Sequence, residues 1–486
     1  MRVGFLAFGA ALVAIACPAA ASAQDRESLS EALVDAYRTN PTLTAQREAL
    51  RGTDAGVALA RAGSRPTLSA IAGLDRELSR RGALGSQAQD FNLSVGADLS
   101  LPLFQGGRVK NDIRAAKARV EAGRATLRAV EGDVFTQAVA AYMDVIRARA
   151  VVDLSANQVE VLTTNLEATE DRFEIGDLTR TDVAQSQARL QLAQSRLAGA
   201  VGQLAAAEEI YRQVIGDDPG ELAPPPPLPP LPETPEQAVR IALVDNADLE
   251  AARELAQAAG FDVRVARAAR LPTLSAVGSG TYVNALGNAG EDVFGSPFPN
   301  DGSVTSVGLT SRIPLYQGGA PAARVAQAQA FAAQRLELLV AAERAVIAEA
   351  RSAFAAYEAA QRAIEANQVA VEANELALEG ARLENSIGTR SVLFVLDAEQ
   401  ELLNARVDLV TAERDAYVAG FRLLNAMGQA EADDLQLDGG ALYDPVGAYR
   451  EVAGRWTDWG DRDLDGPVAT STATPEERPQ SVTERQ

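Results

Sequence analysis

The chain carries two copies of the same pair of short motifs. Arg65-Pro-Thr-Leu-Ser-Ala70 returns as Leu271-Pro-Thr-Leu-Ser-Ala276, and Leu101-Pro-Leu-Phe-Gln-Gly-Gly107 returns as Ile313-Pro-Leu-Tyr-Gln-Gly-Gly319. An internal duplication of this length indicates that one structural unit was copied and packed against its copy. A unit that has to be repeated usually cannot bury its own apolar surface alone, so the nature of the unit constrains the whole fold.

Residues 1–23 have the pattern of a secretory signal peptide. Arg2 provides the positive start, an apolar stretch follows, and Ala21-Ser22-Ala23 matches a small-x-small cleavage site, which places the mature start at Gln24. Cys17, the single cysteine, lies inside this segment, so the mature chain cannot form a disulfide. Lipidation of Cys17 is an alternative, although Ala14 is a poor match to the large aliphatic residue expected three positions earlier.

Composition argues against several classes of function. The chain has 45 Lys and Arg against 66 Asp and Glu, a net charge of -21, whereas nucleic-acid binding needs a basic surface. It has no histidine, the most common general base and neutral metal ligand. No nucleophile motif, metal cluster or nucleotide fingerprint is found, so the sequence predicts neither an enzyme nor a cofactor.

Each motif pair encloses segments in which apolar and polar residues alternate, the pattern of a strand with one apolar face. We predict strands over Phe91–Leu103 and Thr67–Leu78 in the first copy, and over Thr273–Val283 and roughly Thr305–Tyr316 in the second. A soluble antiparallel hairpin and membrane strands of about 9–11 residues would both give this pattern.

A long helical stretch follows each Gln-Gly-Gly. Apolar residues recur every seventh position in both stretches, which predicts a coiled-coil-like seam. These residues are Ile113, Val120, Leu127, Val134, Ala141 and Ala148 in the first copy and Val325, Ala332, Leu339, Val346, Ala353 and Ala360 in the second. Each stretch ends in a glycine, Gly176 or Gly388, which suits a turn into an antiparallel returning helix.

The duplication divides the chain into five parts. The signal peptide at 1–23 is followed by repeat 1 at 24–215, a proline-rich linker at 216–233, repeat 2 at 234–430 and a C-terminal segment at 431–486. Each repeat is predicted to contain a helix broken at an asparagine (Asn40 or Asn246), two strands and a long helical hairpin. The linker is predicted to be stiff and extended, with peptide recognition as an alternative role. From about Gly460 the sequence is polar and is predicted to be disordered.

Four strands are too few to close a barrel, since small barrels need about eight. Strands with open edges cannot stand in lipid, so several chains would have to pool their strands. An exported chain with four amphipathic strands and long Ala-rich hairpins therefore favours a ring-like oligomer with a β-barrel at one end and a helical tube at the other.

Over roughly residues 28–430, including both Pro-Leu-(Phe/Tyr)-Gln-Gly-Gly segments, the asparagine breaks and the glycine tips, the sequence resembles the TolC-like outer-membrane factor family. The resemblance implies an α+β membrane protein of the cell outer membrane with most of the chain in the periplasm. It implies a homotrimer whose twelve-stranded barrel, four strands per chain, continues into a long periplasmic α-helical barrel. Such proteins are passive exit ducts that dock to a periplasmic adaptor protein and an inner-membrane RND or ABC transporter, for drug efflux or type I protein secretion.

The same resemblance implies a gate at the periplasmic tips of the hairpins. Thr181, Asp182 and Arg390 occupy positions like those of the family's gating network, and Asp397 a position where three carboxylates can ring the pore and attract cations. Phe394 stands where the model member of the family has an acidic residue, and Asn385 stands where that member has a tyrosine. Asp182 and Asp397 could instead only solvate or cap a helix start.

Gly176 and Gly388 would serve both as turn residues and as part of the rim that the adaptor contacts. The alternative to an exit duct is a periplasmic coiled-coil adaptor or scaffold protein, which would share the helices but not the four matched strands.

Overall fold

A computed structural model describes residues 26–76, 91–286, 299–435, 437, 442–459, 466–469 and 471–472. The predicted signal peptide, Cys17, the end of the predicted first strand at Leu78 and most of the segment from Gly460 lie outside these residues. The elements follow in the order α1 Leu29–Thr39, α2 Pro41–Ala62, β1 Thr67–Asp75, β2 Asn92–Gln105, α3 Arg108–Glu174, α4 Arg180–Ile215, α5 Pro235–Asp245, α6 Ala247–Ala268, β3 Thr273–Ala285, β4 Asp301–Arg312, α7 Ala320–Ser386, α8 Val392–Met427 and α9 Pro445–Ala453.

The two asparagine breaks act as caps for the second helix of each pair. The Asn40 side chain accepts hydrogen bonds from the N–H groups of α2's first turn, and its amide donates to the Val214 carbonyl at 2.9 Å. Asn246 likewise caps α6 and donates to the Ala426 carbonyl at 3.1 Å. Each asparagine therefore ends one helix, starts the next and ties both to the end of a returning helix.

The four strands form one antiparallel sheet in the order β1-β2-β3-β4. The register puts Leu68, Leu99, Gly278 and Val307 side by side across all four strands. The neighbouring row on the opposite face holds Ser69, Asp98, Ser279 and Ser306. The predicted alternation is thus carried consistently across the sheet, which has one mostly apolar face and one mostly polar face. In the single chain, β1 and β4 are the edges.

The fourth strand differs from the predicted Thr305–Tyr316. It begins at Asp301 and ends at Arg312, which pairs with Thr273, the first residue of β3. No length of β3 remains to pair with residues 313–316, and Pro314 has no N–H to donate. The equivalent residues at the end of β2 stay in the sheet because the register places Leu101 opposite Ala276, which leaves residues 273–275 of β3 to pair with Pro102, Phe104 and Gln105 around a bulge at Leu103.

The Gln-Gly-Gly of each motif makes the turn from sheet to long helix. Both glycines have positive φ angles in both copies, 61° and 78° at Gly106 and Gly107 and 60° and 80° at Gly318 and Gly319. Two consecutive left-handed residues favour glycine strongly, which explains the duplicated pair. The preceding glutamine, Gln105 or Gln317, donates to a carbonyl at the end of the helix before the sheet.

The long helices α3 and α7 each contain 67 residues and span about 100 Å. They pack antiparallel to α4 and α8, giving a first hairpin, α3–α4, and a second hairpin, α7–α8. Their heptad positions are not equally buried, because α3 is also covered by α1, α2, α6 and α8. Only Val325, Val346, Ala350, Leu378 and Ala381 are buried on α7, which leaves apolar side chains such as Phe331, Leu376 and Leu383 exposed.

The linker between the repeats is an extended segment that packs on the helical body. Leu228 and Leu231 lie against the main hydrophobic core, and the Tyr417 hydroxyl donates to the Pro226 carbonyl at 3.1 Å. The C-terminal segment packs on the same body, where the Ala432 N–H donates to the Glu131 carboxylate at 2.6 Å. None of the described helices combines the length and the apolar character that a membrane span requires.

Burial raises the pKa of Glu131 to about 7, with Glu431 and Asp433 adding to the effect. Between about pH 4.5 and pH 7, the folded state therefore holds a proton on Glu131 that the unfolded state has lost. The free energy of unfolding falls by about 3 kcal/mol as the pH rises through this range. Glu131→Gln keeps an acceptor for the Ala432 N–H without the charge. We expect it to melt at a higher temperature than the wild type at pH 8 and at nearly the same temperature at pH 5, by circular dichroism in detergent. The exposed Glu160→Gln is the control, and equal differences at both pH values would contradict the assignment.

Candidate functional site

Both hairpins turn at a glycine in the left-handed conformation. Gly176 has φ 85° and Gly388 has φ 79°. In each turn the glycine N–H and the next N–H donate back to the last carbonyls of the long helix, from Gly176 to Phe173 and from Gly388 to Asn385 at 2.9 and 3.0 Å. This is the Schellman arrangement, in which glycine ends a helix and reverses the chain. The two predicted turn glycines therefore have the same structural role.

On the first hairpin, Asp182 belongs to the cap of α4. Its carboxylate accepts hydrogen bonds from the Thr179 N–H at 2.9 Å and hydroxyl at 2.8 Å, while the Asp182 N–H donates to the Thr179 hydroxyl. These bonds stabilise the ionised carboxylate and lower its pKa. Thr181 lies beside it and is exposed. Within one chain, Asp182 thus makes the capping contacts that the sequence left as an alternative.

On the second hairpin, Arg390 and Phe394 lie together. The guanidinium carbon of Arg390 lies 4.1 Å from the centroid of the Phe394 ring, and its Nε is 2.9 Å from a Glu384 carboxylate oxygen. Asn385 donates to the Arg390 carbonyl at 2.8 Å. The structure therefore holds Arg390 by residues of its own hairpin, and Phe394 contributes a cation–π contact in place of a charge.

Asp397 connects the two hairpins. It forms an ion pair with Arg189 of α4, and both side chains are partly exposed. Two residues further along α8, the buried carboxylate of Glu399 accepts hydrogen bonds from the Asn165 amide of α3 at 3.0 and 3.2 Å and pairs with Arg382 of α7 at 3.3 Å. Asp397 stands in the second turn of α8, so it does not cap the helix start.

An apolar cluster lies beside these polar contacts. Leu396 of α8 is 2% exposed because it packs against Leu162 of α3 and Leu190 of α4. The end of the second hairpin is thus held against the first by this apolar cluster, by the Arg189–Asp397 ion pair and by the hydrogen bonds from Asn165 to Glu399. Arg189, Asn165 and Glu399 were missed from the sequence. The difference between Gln187 and Glu399 at equivalent positions of the two copies was the available signal.

The sequence profile for "Outer membrane efflux protein" matches residues 32–217 and 238–429. The chain is 34% identical over 443 residues to the outer membrane efflux protein BepC of Brucella suis, covering 90% of this chain and 93% of BepC. The chain belongs to the outer membrane efflux protein family. It is 26% identical to the outer membrane protein TolC of Vibrio cholerae, over 84% of this chain and 92% of TolC.

The fold agrees with this membership. The crystal structure of the Campylobacter jejuni CmeC outer membrane channel superposes with a TM-score of 0.74 at 17% identity, covering 88% of this chain and 90% of that one. The predicted α+β fold, the outer-membrane location and the function as an exit duct are therefore confirmed. The family consists of transport channels.

Proposed function

We propose that three copies of the chain close into one duct. The observation that carries this proposal is the four-stranded sheet, in which the outer edges of β1 and β4 pair with no other strand among the described residues of the chain. Such edges are prohibitively costly in lipid unless a neighbouring strand pairs with them. Pairing β1 of one protomer with β4 of the next in a ring of three gives twelve strands. The repeats at 24–215 and 234–430 are the building units.

The helical part offers a second surface for the same assembly. Much of the surface of α7 is exposed to solvent in the single chain, and large apolar side chains such as Phe331, Leu376 and Leu383 are more than half exposed. In the proposed trimer this surface packs against the neighbouring protomer, and the long hairpins of three chains form a periplasmic tube. The apolar face of the sheet faces lipid, and the row with Asp98 faces the wet lumen.

The hairpin tips form the proposed gate. Arg390, Phe394 and Asp397 lie on the second hairpin, while Thr181 and Asp182 lie on the first. In this proposal the Arg189–Asp397 and Asn165–Glu399 contacts hold the two hairpins of each protomer together and keep the tube narrow. The turns at Gly176 and Gly388 form the rim that a periplasmic adaptor protein contacts, and the adaptor connects the duct to an RND or ABC inner-membrane transporter.

The exported substrate is chosen by the pump in this arrangement, so the same duct can serve drug efflux or type I protein secretion. BepC is named as an efflux protein, which makes efflux the first activity to test. Deleting the gene is expected to lower the inhibitory concentrations of several unrelated drugs, and a plasmid copy should restore them. A loss of secreted proteins with unchanged drug sensitivity would indicate type I secretion. If the deletion changed neither drug sensitivity nor protein secretion, that result would contradict the export function.

A periplasmic adaptor or scaffold was the alternative left open by the sequence, and membership of the outer membrane efflux protein family argues against it. An adaptor would have no use for a four-stranded sheet with one continuous apolar face. Cell fractionation separates the two functions, since the duct is expected as heat-resistant trimers in the outer-membrane fraction. A soluble periplasmic monomer would support the scaffold.

A further inference from the structure

Residues 442–459 of the C-terminal segment run along α2 towards the sheet. At the start of this stretch, the Tyr443 N–H donates to the Tyr37 hydroxyl, and the Tyr443 ring lies near Arg47 and Arg51 of α2. Further along, Tyr449 of α9 packs on the cluster around Val57. The contacts thus advance along α2 as the C-terminal segment advances.

The last contacts of this segment lie at the junction between the helices and the sheet. Arg61 donates to the Ala453 carbonyl at 2.7 Å, and the Arg65 guanidinium lies 4.5 Å from the centroid of the Trp456 ring. β1 begins only two residues after Arg65, at Thr67. Trp456 is therefore fixed at the level where the chain leaves the helical body and enters the sheet.

Trp456 and Trp459, which follows three residues later, are both largely exposed. Trp456 is 70% exposed and Trp459 is 90% exposed. Their indole rings combine a large apolar surface with one N–H donor, so they favour the boundary between water and lipid. The adjoining sheet surface is apolar too, since Leu68 at the start of β1 is 74% exposed. Phe104 lies at the same end of the sheet and is 51% exposed.

We propose that Trp456 and Trp459 insert among the phospholipids of the periplasmic leaflet, so that the C-terminal segment anchors the duct at the membrane boundary. The proposal rests on the placement of the sheet in the outer membrane. The position of Trp456 supports it, because Arg65, which stacks on the Trp456 ring, lies two residues before the start of β1 and its exposed apolar surface. The cationic Arg65 beside Trp456 also suits phosphate headgroups. The second copy has the apolar Leu271 in place of Arg65.

Intrinsic fluorescence tests the proposal directly, because Trp456 and Trp459 are the only tryptophans of the chain. The full-length mature protein is reconstituted into phosphatidylethanolamine and phosphatidylglycerol vesicles, with and without lipids brominated near the headgroup end of the acyl chains. Insertion is checked separately by vesicle flotation and by channel conductance. We expect blue-shifted emission, most of which is lost with brominated lipid, and little quenching by acrylamide in the water phase.

Single-tryptophan variants locate the contact. Trp459→Phe leaves only Trp456, and adding Arg65→Ala is expected to reduce the quenching of Trp456 by brominated lipid because the stacking partner is gone. In Trp456→Phe, the same Arg65→Ala change should affect Trp459 less.

Two results from a conducting protein would overturn the anchor alone. Red-shifted emission quenched by acrylamide and not by brominated lipid would place the tryptophans in water. Blue-shifted emission that neither quencher reaches would mean that the neighbouring protomer covers them. A protein that neither floats with the vesicles nor conducts would overturn the membrane placement itself, and the anchor with it.

Discussion

Val307→Arg is expected to remove stable trimers from the outer membrane. Val307 lies in the middle of β4, is 88% exposed in the single chain and belongs to the apolar face of the sheet. An arginine at the centre of the lipid-facing surface of a barrel costs about 2–4 kcal/mol, and a trimer would carry it three times. We expect a large loss of heat-resistant trimer on gels of the outer-membrane fraction and a lower urea midpoint for the remaining protein.

Ser306→Arg is the matched control, one residue away on the opposite face. The Ser306 hydroxyl lies 2.7 Å from that of Ser279, in the polar row that also contains Asp98. An arginine there would stand in a wet lumen near a carboxylate, so trimer yield should stay close to that of the wild type. Equal losses from both substitutions, or a greater loss from Ser306→Arg, would contradict the proposed orientation of the sheet.

Breaking the contact between Arg189 and Asp397 is expected to open the periplasmic end of the duct. The pair joins the two hairpins of one protomer, so its loss removes a restraint on their separation. Because both side chains are partly exposed, solvent screening limits each pair to about 1 kcal/mol or less. Three pairs give up to about 3 kcal/mol, so a concerted opening could become up to about a hundredfold more populated. Single-channel conductance in planar bilayers measures this change.

Two variants distinguish a latch, in which the Arg189–Asp397 pair holds the two hairpins together, from an acidic ring, in which three Asp397 carboxylates line the pore. A latch predicts that Arg189→Ala and Asp397→Ala raise the conductance equally and that the double variant adds nothing. A ring predicts that Asp397→Ala lowers cation selectivity, whereas Arg189→Ala raises it by uncovering the carboxylate. Arg406→Ala is the control, since its pair with Glu375 at 2.7 Å lies within the second hairpin. Unchanged conductance in both single variants would exclude the latch. Unchanged cation selectivity in Asp397→Ala would exclude the ring.

The elements of this fold could be predicted because their signals are local. Heptad spacing extends over both long helices, and Asn40 and Asn246 stand next to the helices that they cap. The strand alternation was equally clear, but the end of β4 depends on where its partner β3 begins. A single-strand pattern holds no information about the partner, and the prediction therefore ran on to Tyr316.

The candidate site was only partly readable. Gly176 and Gly388 follow from local turn geometry, whereas Arg189 and Asp397 meet only because α4 and α8 pack side by side. Nothing in the spacing of those two residues predicts the contact. The unequal burial of α3 and α7 was hidden for the same reason, since the heptads match but the neighbours of the two helices differ.

Closure of the sheet between protomers is tested most directly by disulfide crosslinking. The single cysteine of the sequence, Cys17, lies in the predicted signal peptide, so in the mature protein we expect introduced cysteines to react only with one another. Ile71→Cys on β1 is paired in turn with Ser306→Cys, Gly308→Cys and Thr310→Cys on β4, all on the polar face, and intact outer membranes are oxidised. Covalent dimers and trimers, strongest for one pairing and ending at three chains, are the predicted result. Uncrosslinked monomers in every pairing, with protein still in the outer membrane, or a ladder continuing beyond three chains, would contradict the trimeric duct.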